Sequence, residues 1–156
     1  MKTPTTSAHN KKNKIVSVSK LVPASAEQIF ELLANPEMHP VIDGSGFVIA
    51  PQPSAPKRLS QGATFGMSMK RGVPYKMTNT VVEFVEGRQI AWRHFGGHVW
   101  RYILESTQGG TMVTEQFSYG TSKSPLMLKL AGYVRKNELA IRKTLDNLAN
   151  YFTDKK

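Results

Sequence analysis

The amino-acid sequence predicts a single α+β domain in which an antiparallel sheet packs against a long C-terminal helix. Three observations predict it: an alternating strand pattern that begins at Ile15, a run of strands and turns from Phe47 to Tyr119, and helical spacing of apolar residues after Pro125. The chain has 156 residues, of which 40% are hydrophobic, and this suits one domain with its own core. We therefore predict one domain over residues 15–154, preceded by a flexible basic tail over residues 1–14.

The first structured elements are a strand and a short helix. Residues 15–22, IVSVSKLV, alternate along the chain and are rich in β-branched side chains, which predicts a strand. In the following segment, PASAEQIFELLAN, Ser25 and Gln28 have the spacing of a capping box ahead of an apolar stripe. This predicts a helix of about two and a half turns. Pro36 ends this helix, and Pro40 interrupts its continuation.

From Phe47 to Tyr119 the sequence predicts only strands and turns. Six segments have strand patterns and are separated by prolines, glycines or polar residues: FVIAPQP, ATFGMSMK, YKMTNTVVEFVEG, RQIAWRHF, HVWRYILES and TMVTEQFSY. The glycine pairs at residues 96–97 and 109–110 have the spacing of an antiparallel meander. The middle of the chain is therefore predicted to be a sheet built from consecutive hairpins.

The glycine pair between RQIAWRHF and HVWRYILES decides which residues of these two strands share a face. A two-residue turn would place Trp92 opposite Arg101 and would separate the two tryptophans. A three-residue loop with a bulge instead pairs Trp92 with Trp100 and His94 with His98. We predict the three-residue loop. Whether the histidines lie within a pocket or at its rim stays open, and the rim is favoured because they flank the turn.

The last segment of the chain predicts one long helix. Ser124 is a capping residue with Pro125 at the first helical position. Apolar residues then recur at spacings of three, four or seven and form a stripe that should pack against the sheet: Met127, Leu130, Val134, Ile141, Leu145, Leu148 and Phe152. The helix would be about 42 Å long if unbroken. Gly132 lies in its interior, and Asn137 or Glu138 interrupts the stripe, either as a hydrogen-bonding group of the core or as a group that faces a cavity.

The segment PEMHPVIDGSG, residues 36–46, combines an imidazole, a carboxylate and two glycines between the short helices and the second predicted strand. Aspartate followed by Gly-Ser-Gly is typical of a turn, because the carboxylate accepts local hydrogen bonds and glycine supplies unusual dihedral angles. We therefore interpret Asp43 to Gly46 as turn chemistry. The alternative is a direct role for His39 or Asp43 at the opening of a pocket.

The composition argues against several kinds of site and partner. The chain has no cysteine, and neither a paired-histidine helix motif nor a glycine-rich phosphate loop indicates a metal or a cofactor. No apolar run is long enough to cross a bilayer, and the N-terminus lacks the apolar centre of a secretory signal, which predicts a cytoplasmic protein. The net charge of +10 is scattered and accompanies no nucleic-acid-binding motif, which favours a solvated basic surface over a specific nucleic-acid site.

The segment SVSKLVPASAEQIFELLANPEMHPVIDGSG resembles the opening of the SRPBCC superfamily, the START-like and birch-pollen-allergen-like proteins, and particularly its polyketide cyclase/dehydrase and lipid-transport group. The pattern IAWRH, WRYILE, GGTMVTEQF is similar to the later strands of that group. The resemblance extends from Ile15 to about Phe152. It implies the helix-grip fold: a curved antiparallel β-sheet wrapped around a long C-terminal α-helix, two short helices after the first strand, and a deep, mostly apolar cavity between sheet and helix.

Members of this group bind hydrophobic small molecules, and a minority catalyse cyclisation or dehydration of aromatic polyketides. The resemblance therefore implies binding of a hydrophobic or aromatic small molecule, lipid or polyketide-like, in the cavity. The alternative that it implies is a polyketide cyclase/dehydratase-type enzyme that uses inward polar residues. The oligomeric state is open, and a homodimer is one of the options.

Side chains of one strand parity point toward the helix and would line this cavity. On HVWRYILES the inward set excludes Arg101 and Glu105, whereas on TMVTEQFSY it places Glu115 among apolar neighbours. A buried carboxylate is costly unless it is paired, hydrogen-bonded or protonated. Glu115, with His94 or His98, is the candidate base and orienting group for catalysis, although inward His and Glu residues more often have a structural role. The predicted ligand-binding residues are Phe65, Met67, Met69, Trp92, Trp100, Tyr102, Glu115, Phe117, Tyr119, Val134 and Asn137.

Overall fold

The computed structural model describes residues 4–130 and 132–154. Within these residues, eight strands form one antiparallel sheet in the order β1-β2-β8-β7-β6-β5-β4-β3, which is open at β1 and β3. The strands are β1 (Thr6–Asn10), β2 (Ile15–Val22), β3 (Val48–Pro51), β4 (Thr64–Arg71), β5 (Val73–Val85), β6 (Gln89–His94), β7 (Val99–Thr107) and β8 (Gly110–Ser118). The helices are α1 (Ala26–Leu33), α2 (His39–Ile42), α3 (Pro125–Leu130) and α4 (Tyr133–Thr153), with a 3-10 helix over Pro36–Met38. The predicted α+β helix-grip fold is confirmed.

The strands and helices predicted between residues 15 and 119 are confirmed in kind and in order. Along β2, half-buried and buried residues alternate, as expected of a strand with one face on the core. α1 begins with the predicted capping box: the Gln28 N–H donates to the Ser25 hydroxyl at 3.2 Å, and the Ser25 N–H donates to the Gln28 side-chain oxygen at 3.1 Å. α2 is the second short helix, and β3 to β8 are the six strands that follow it.

The segment that the sequence analysis expects to be a flexible tail contains the edge strand β1. It pairs with β2 in antiparallel register, from Thr6 opposite Ser19 to Asn10 opposite Ile15. Four of its five residues are exposed, so the strand buries little apolar surface of its own. The structure differs from the expectation here because an edge strand can join a sheet through backbone hydrogen bonds alone, and such a strand leaves no hydrophobic period in the sequence.

The C-terminal helical segment consists of two helices, so the prediction of one unbroken helix is wrong. α3 ends at Leu130 and α4 begins at Tyr133, with Gly132 between them in a left-handed conformation (φ 74°). Glycine adopts this conformation at little cost, whereas a right-handed helix cannot continue through it. The side chain of Leu130, which the sequence analysis places on the apolar stripe, lies outside the described residues.

The predicted stripe of the long helix is buried only in its second half. Ile141, Leu145 and Leu148 are each at most 1% exposed, and α4 packs there against β2 and β8. Met127 on α3 is 63% exposed, and Val134 is only half-buried. The apolar period of the sequence therefore identified α4 as a helix but did not show where along it the core ends.

The loop between β6 and β7 has the predicted three-residue length. Trp92 pairs with Trp100, and the His94 N–H donates to the His98 carbonyl at 2.9 Å across the loop. The register along β6 and β7 therefore places both tryptophans on the same face of the sheet, as the sequence analysis expects.

Two adjacent residues fix the loop after α2: Asp43 holds its shape, and Gly44 contacts α4. The Asp43 carboxylate accepts the backbone N–H groups of Ser45 and Val48, each at 3.1 Å, and also the Ser45 hydroxyl. The Gly44 N–H donates to the Thr144 hydroxyl at 2.9 Å, and a Cβ at Gly44 would collide with the α4 backbone. The turn chemistry predicted for this loop is confirmed, and glycine is required where the loop meets the helix.

Candidate ligand-binding site

A cavity of about 820 Å³ lies between the sheet and α4. Its walls come from β3 to β8, from the loops around α2 and from α4. Most of the lining is apolar or aromatic, including Leu33, Ile42, Phe65, Met67, Trp92, Trp100 and Phe117. Pockets that hold drug-sized molecules usually measure roughly 300–1,000 Å³, so this volume suits a small organic ligand.

The structure places most of the predicted ligand-binding residues on this lining: Phe65, Met67, Met69, Trp92, Trp100, Tyr102, Glu115, Phe117 and Asn137, together with the candidate catalytic residues His94 and His98. Tyr119 and Val134 lie outside the lining. The Tyr119 ring stacks on Phe117, and its hydroxyl is 2.8 Å from His9 Nε2. Val134 packs against the hydrophobic core. Inward parity alone did not exclude Tyr119, because it lies one residue beyond β8, past the end of the cavity.

Trp92 is the centre of an aromatic cluster on the cavity wall. The imidazole of His39 stacks on its indole with 4.9 Å between ring centroids and 21° between planes, and Phe65 and Tyr102 each contact it at 5.7 Å. His39 is 9% exposed, and its Nε2–H donates to the Leu33 carbonyl at 2.8 Å. Burial lowers the pKa of His39, so the ring is neutral at neutral pH. The favoured interpretation of residues 36–46 as turn chemistry therefore missed the place of His39 in the wall.

His94 and His98 form a stacked pair on the lining, with 4.1 Å between ring centroids and 19° between planes. His98 also packs edge-on against Phe117 at 5.3 Å. The Gly96 N–H donates to His94 Nδ1 at 3.1 Å, so the proton of the neutral His94 ring belongs on Nε2. Burial lowers the pKa of both histidines to about 4, and for His98 the neighbouring His94 adds to the effect. At neutral pH the pair is a flat, uncharged surface and a weak general base.

Glu115 is a buried carboxyl group on the apolar wall. Its side chain is 4% exposed and hydrogen-bonds to Tyr102, its direct partner in the β7–β8 register. Its Oε2 atom has no hydrogen-bond partner among the described residues. Burial, with a smaller contribution from the negative charge of Asp43, raises the pKa of Glu115 to about 8, although the Tyr102 hydrogen bond acts in the opposite direction. Glu115 is therefore mostly a neutral carboxylic acid at pH 7.

The exposed members of the lining mark where the cavity opens to solvent. Arg71, Lys136 and Lys143 are exposed lining residues, and we call them the entrance cations. Leu139 beside them is 56% exposed. The Arg71 guanidinium lies 4.8 Å from the centroid of the Tyr133 ring and donates to the Tyr133 hydroxyl at 2.6 Å, while Lys136 Nζ lies 5.7 Å from the same centroid. The opening is therefore positively charged, whereas the interior is apolar.

Two of the groups of lining residues that sequence reasoning missed lie on β5 and at the opening. The first group is on β5, where Tyr75 pairs with Met69 and Asn79 pairs with Phe65. The alternation of β5 could have identified this group once its pairing with β4 was inferred. The second group is the entrance cations, which carry no sequence signal because exposed lysines and arginines are the ordinary content of a solvated surface.

Three polar side chains of the lining lie on three different elements. Asn79 lies on β5, Glu115 on β8 and Asn137 on α4. Among residues 4–130 and 132–154, no three His, Asp or Glu side chains are grouped as a set of metal ligands. In the same part of the chain, every helix is too short or too polar to cross a membrane.

The chain belongs to the polyketide cyclase / dehydrase and lipid transport family. The sequence pattern of this family matches residues 14–153, which include β2 to β8, the described cavity and α4. The resemblance to the SRPBCC superfamily is thereby confirmed.

Curated relatives and solved structures are also similar to this chain. The uncharacterized protein Rv0088 of Mycobacterium tuberculosis is 34% identical over 143 residues, which are 88% of this chain and 63% of that protein. The chain thus spans less than two thirds of the length of the curated relatives it matches. The crystal structure of protein Ms6760 from Mycobacterium smegmatis superposes with a TM-score of 0.72 at 15% identity, covering 98% of this chain and 100% of that one. The polyketide-cyclase-like protein Cgl2372 from Corynebacterium glutamicum gives a TM-score of 0.59 at 18% identity, covering 89% and 91%. At these identities the two structures show the fold alone.

Proposed function

We propose that the protein binds an apolar or aromatic small molecule, of lipid or polyketide type, in the cavity between the sheet and α4. The observation that carries this proposal is the cavity itself, with about 820 Å³ of volume and a mostly apolar lining. Burial of apolar ligand surface against such walls is favourable by about 25 cal/mol per Å². The description of the family as polyketide cyclase / dehydrase and lipid transport supports the same ligand class.

The chemistry of the walls supports a ligand with flat or flexible apolar parts. The Trp100 and Phe117 rings lie 4.8 Å apart, and with Trp92 they offer broad aromatic surface to the cavity. Met67 and Met69 line the same space. Methionine side chains adapt to ligands of different shape because they are unbranched and polarizable. The cavity should therefore accept apolar ligands with moderate selectivity for their shape.

Glu115 supplies a polar contact within these apolar walls. As a neutral acid it can donate a hydrogen bond, and its unpartnered Oε2 atom can also accept one. A hydroxyl or carbonyl group of the ligand would satisfy this buried atom, which otherwise costs free energy. In this proposal the apolar walls provide most of the affinity and Glu115 fixes the orientation of the ligand.

A second candidate function is an enzyme of cyclase/dehydratase type, and Glu115 is the observation that favours it. A carboxyl group with a pKa of about 8 exists in both protonation states near neutral pH, which suits a general acid or base. The Tyr102 hydroxyl, hydrogen-bonded to the same carboxyl, would orient it toward a bound substrate. His94 and His98, with pKa values lowered to about 4, would act through their shape more than through proton transfer.

Native mass spectrometry of protein purified from its own host tests the binding proposal. We expect a retained apolar or aromatic small molecule, at no more than one copy per chain, that is released on denaturation. Protein that carries no molecule, and that retains none after incubation with a lipid extract of the host, would contradict the proposal.

The variant Glu115→Gln separates binding from catalysis. It keeps the shape of the side chain and removes its acid–base chemistry, so affinity for an apolar ligand should stay within about tenfold, that is about 1.4 kcal/mol. An enzyme that uses Glu115 would instead lose roughly a hundredfold or more in turnover while binding survives. Glu105→Gln is the matched control, because Glu105 is exposed on the neighbouring strand. Turnover of any compound that disappears only in Glu115→Gln would favour the enzyme.

A further inference from the structure

We propose that the ligand carries an acidic group, a carboxylate or a related oxyanion, which the entrance cations hold at the opening while the apolar body of the ligand fills the cavity. This inference rests on the proposed function, because it orients a ligand that the cavity must first accept. It adds that the ligand has two different ends, one apolar and the other anionic.

The first observation is an excess of positive charge at the opening. Arg71, Lys136 and Lys143 line it, and among residues 4–130 and 132–154 none of the three forms an ion pair with a carboxylate. Two carboxyl groups are on the same lining. Asp43 already accepts the backbone N–H groups of its own turn, and Glu115 is buried and mostly neutral at pH 7. The charge of the entrance cations is therefore not neutralised by the lining.

The second observation is that two of these cations converge on one ring. Both Arg71 and Lys136 lie within 6 Å of the Tyr133 centroid, at 4.8 and 5.7 Å. Arg71 is also held by the Phe47 ring at 5.4 Å and by its hydrogen bond to the Tyr133 hydroxyl. Both positive charges therefore lie near the same ring, and an anion at the opening would be attracted by both. The aromatic contacts thus hold a guanidinium whose remaining N–H donors match the geometry of an oxyanion.

The interior of the cavity determines which end of the ligand enters. A charged group moved into apolar walls loses its hydration, and the described interior offers no cation to compensate it. His39, His94 and His98 are neutral there because burial lowers the pKa of each. An acidic group would therefore stay at the opening, and the apolar end would lie against the tryptophans.

Two fluorescent probes that differ only in a sulfonate test this inference. N-phenyl-1-naphthylamine is uncharged, and 1-anilinonaphthalene-8-sulfonate is the same molecule with one sulfonate group. In the double variant Arg71→Gln/Lys136→Gln, affinity for the sulfonate probe should fall by at least about tenfold, while affinity for the uncharged probe should change by less than about twofold. In the wild-type protein, added salt should weaken binding of the sulfonate probe more than it does in the variant.

The matched control is Lys11→Gln/Lys57→Gln, which removes the same charge from exposed positions outside the lining. It should leave both affinities unchanged. If the uncharged probe binds the wild type and the entrance variant binds the sulfonate probe as well as the wild type does, the acidic-group inference is wrong and the binding proposal stands. Equal losses for both probes in the entrance variant would also overturn the inference, because they would indicate a change of shape. No saturable binding of the uncharged probe to the wild type would overturn the proposed function and this inference together.

Discussion

The two halves of α4 differ in how deeply their side chains are buried. In the second half, Ile141, Leu145 and Leu148 are at most 1% exposed and pack against β2 and β8. In the first half, residues 133–140, none of the side chains is buried, and several of them line the cavity. We call these the packed half and the open half. The difference shows how one helix can stabilise the fold at one end and leave volume for a ligand at the other.

Truncation of two leucines of α4 tests this division most strongly, because the two variants should differ in their free energy of unfolding. Leu145→Ala in the packed half should lower the free energy of unfolding by about 2–5 kcal/mol, because it leaves a void in the core. Leu139→Ala in the open half should lower it by less than about 0.5 kcal/mol, since the Leu139 side chain is 56% exposed. Denaturant unfolding curves of the two variants measure both values. Similar losses for the two leucines would contradict the division into a packed and an open half.

The pH dependence of stability tests the burial of Glu115 in the wall of the cavity. Because the fold raises the pKa of Glu115 from 4.5 to about 8, the folded state binds more protons than the unfolded chain between these values, and wild-type stability falls as the pH rises through them. Glu115→Gln removes this titration. Relative to the wild type, the variant should therefore gain about 2–4 kcal/mol of stability between pH 5 and pH 9.

Denaturant unfolding at a series of pH values measures this gain. The control Glu105→Gln removes an exposed carboxylate of the neighbouring strand and is measured over the same pH range. A pH-independent stability difference for Glu115→Gln would mean that Glu115 is ionised and solvated in the fold.

The fluorescence of the two tryptophans tests their common position on the cavity and should change less than the stabilities above. Trp92 is 9% exposed and Trp100 is half-buried, and both line the cavity. In the single-tryptophan variants Trp100→Phe and Trp92→Phe, the remaining indole should be shielded from acrylamide, a neutral quencher that the basic surface does not attract. An apolar ligand should alter the emission of both. A variant with tryptophan only at position 95 is the exposed reference, because Phe95 is 74% exposed. One freely quenched and one shielded indole would contradict their common position on the cavity.

The sheet could be predicted from the sequence because most of its strands have one buried face. The alternation in β2 and the glycine pair before β7 were enough to identify strands and, in the second case, the register of Trp92 with Trp100. β1 could not be found in this way, because it is polar and joins the sheet through its backbone. The sequence indicated the end of α3 only through Gly132, a glycine in the interior of the predicted helix. The left-handed conformation of Gly132 is a property of the folded backbone and could not be predicted.

The candidate site could be predicted mainly where it follows strand parity. Met67, Trp100 and Glu115 were identified because each lies on the inward face of a strand with an apolar alternation. His39 was not, because its position depends on how the loops around α2 fold back onto Trp92. Lys136 was not, because a lysine at a cavity opening has the same sequence pattern as any solvated lysine. Cavities that are assembled from distant segments are therefore predicted only in part.

The central claim is that the space facing the open half of α4 holds an apolar ligand, and a blocking variant tests it most directly. Asn137 lines this space and is half-buried, whereas Arg135 on the same half is exposed and outside the lining. Asn137→Trp should place an indole in the cavity and reduce affinity for uncharged N-phenyl-1-naphthylamine by at least about tenfold, that is about 1.4 kcal/mol. Arg135→Trp should leave the affinity within about twofold of the wild type. Both variants should unfold cooperatively with nearly wild-type stability, because neither position belongs to the packed half. If the folded Asn137→Trp variant binds the probe as tightly as the wild type does, the ligand does not occupy this cavity and the account is wrong.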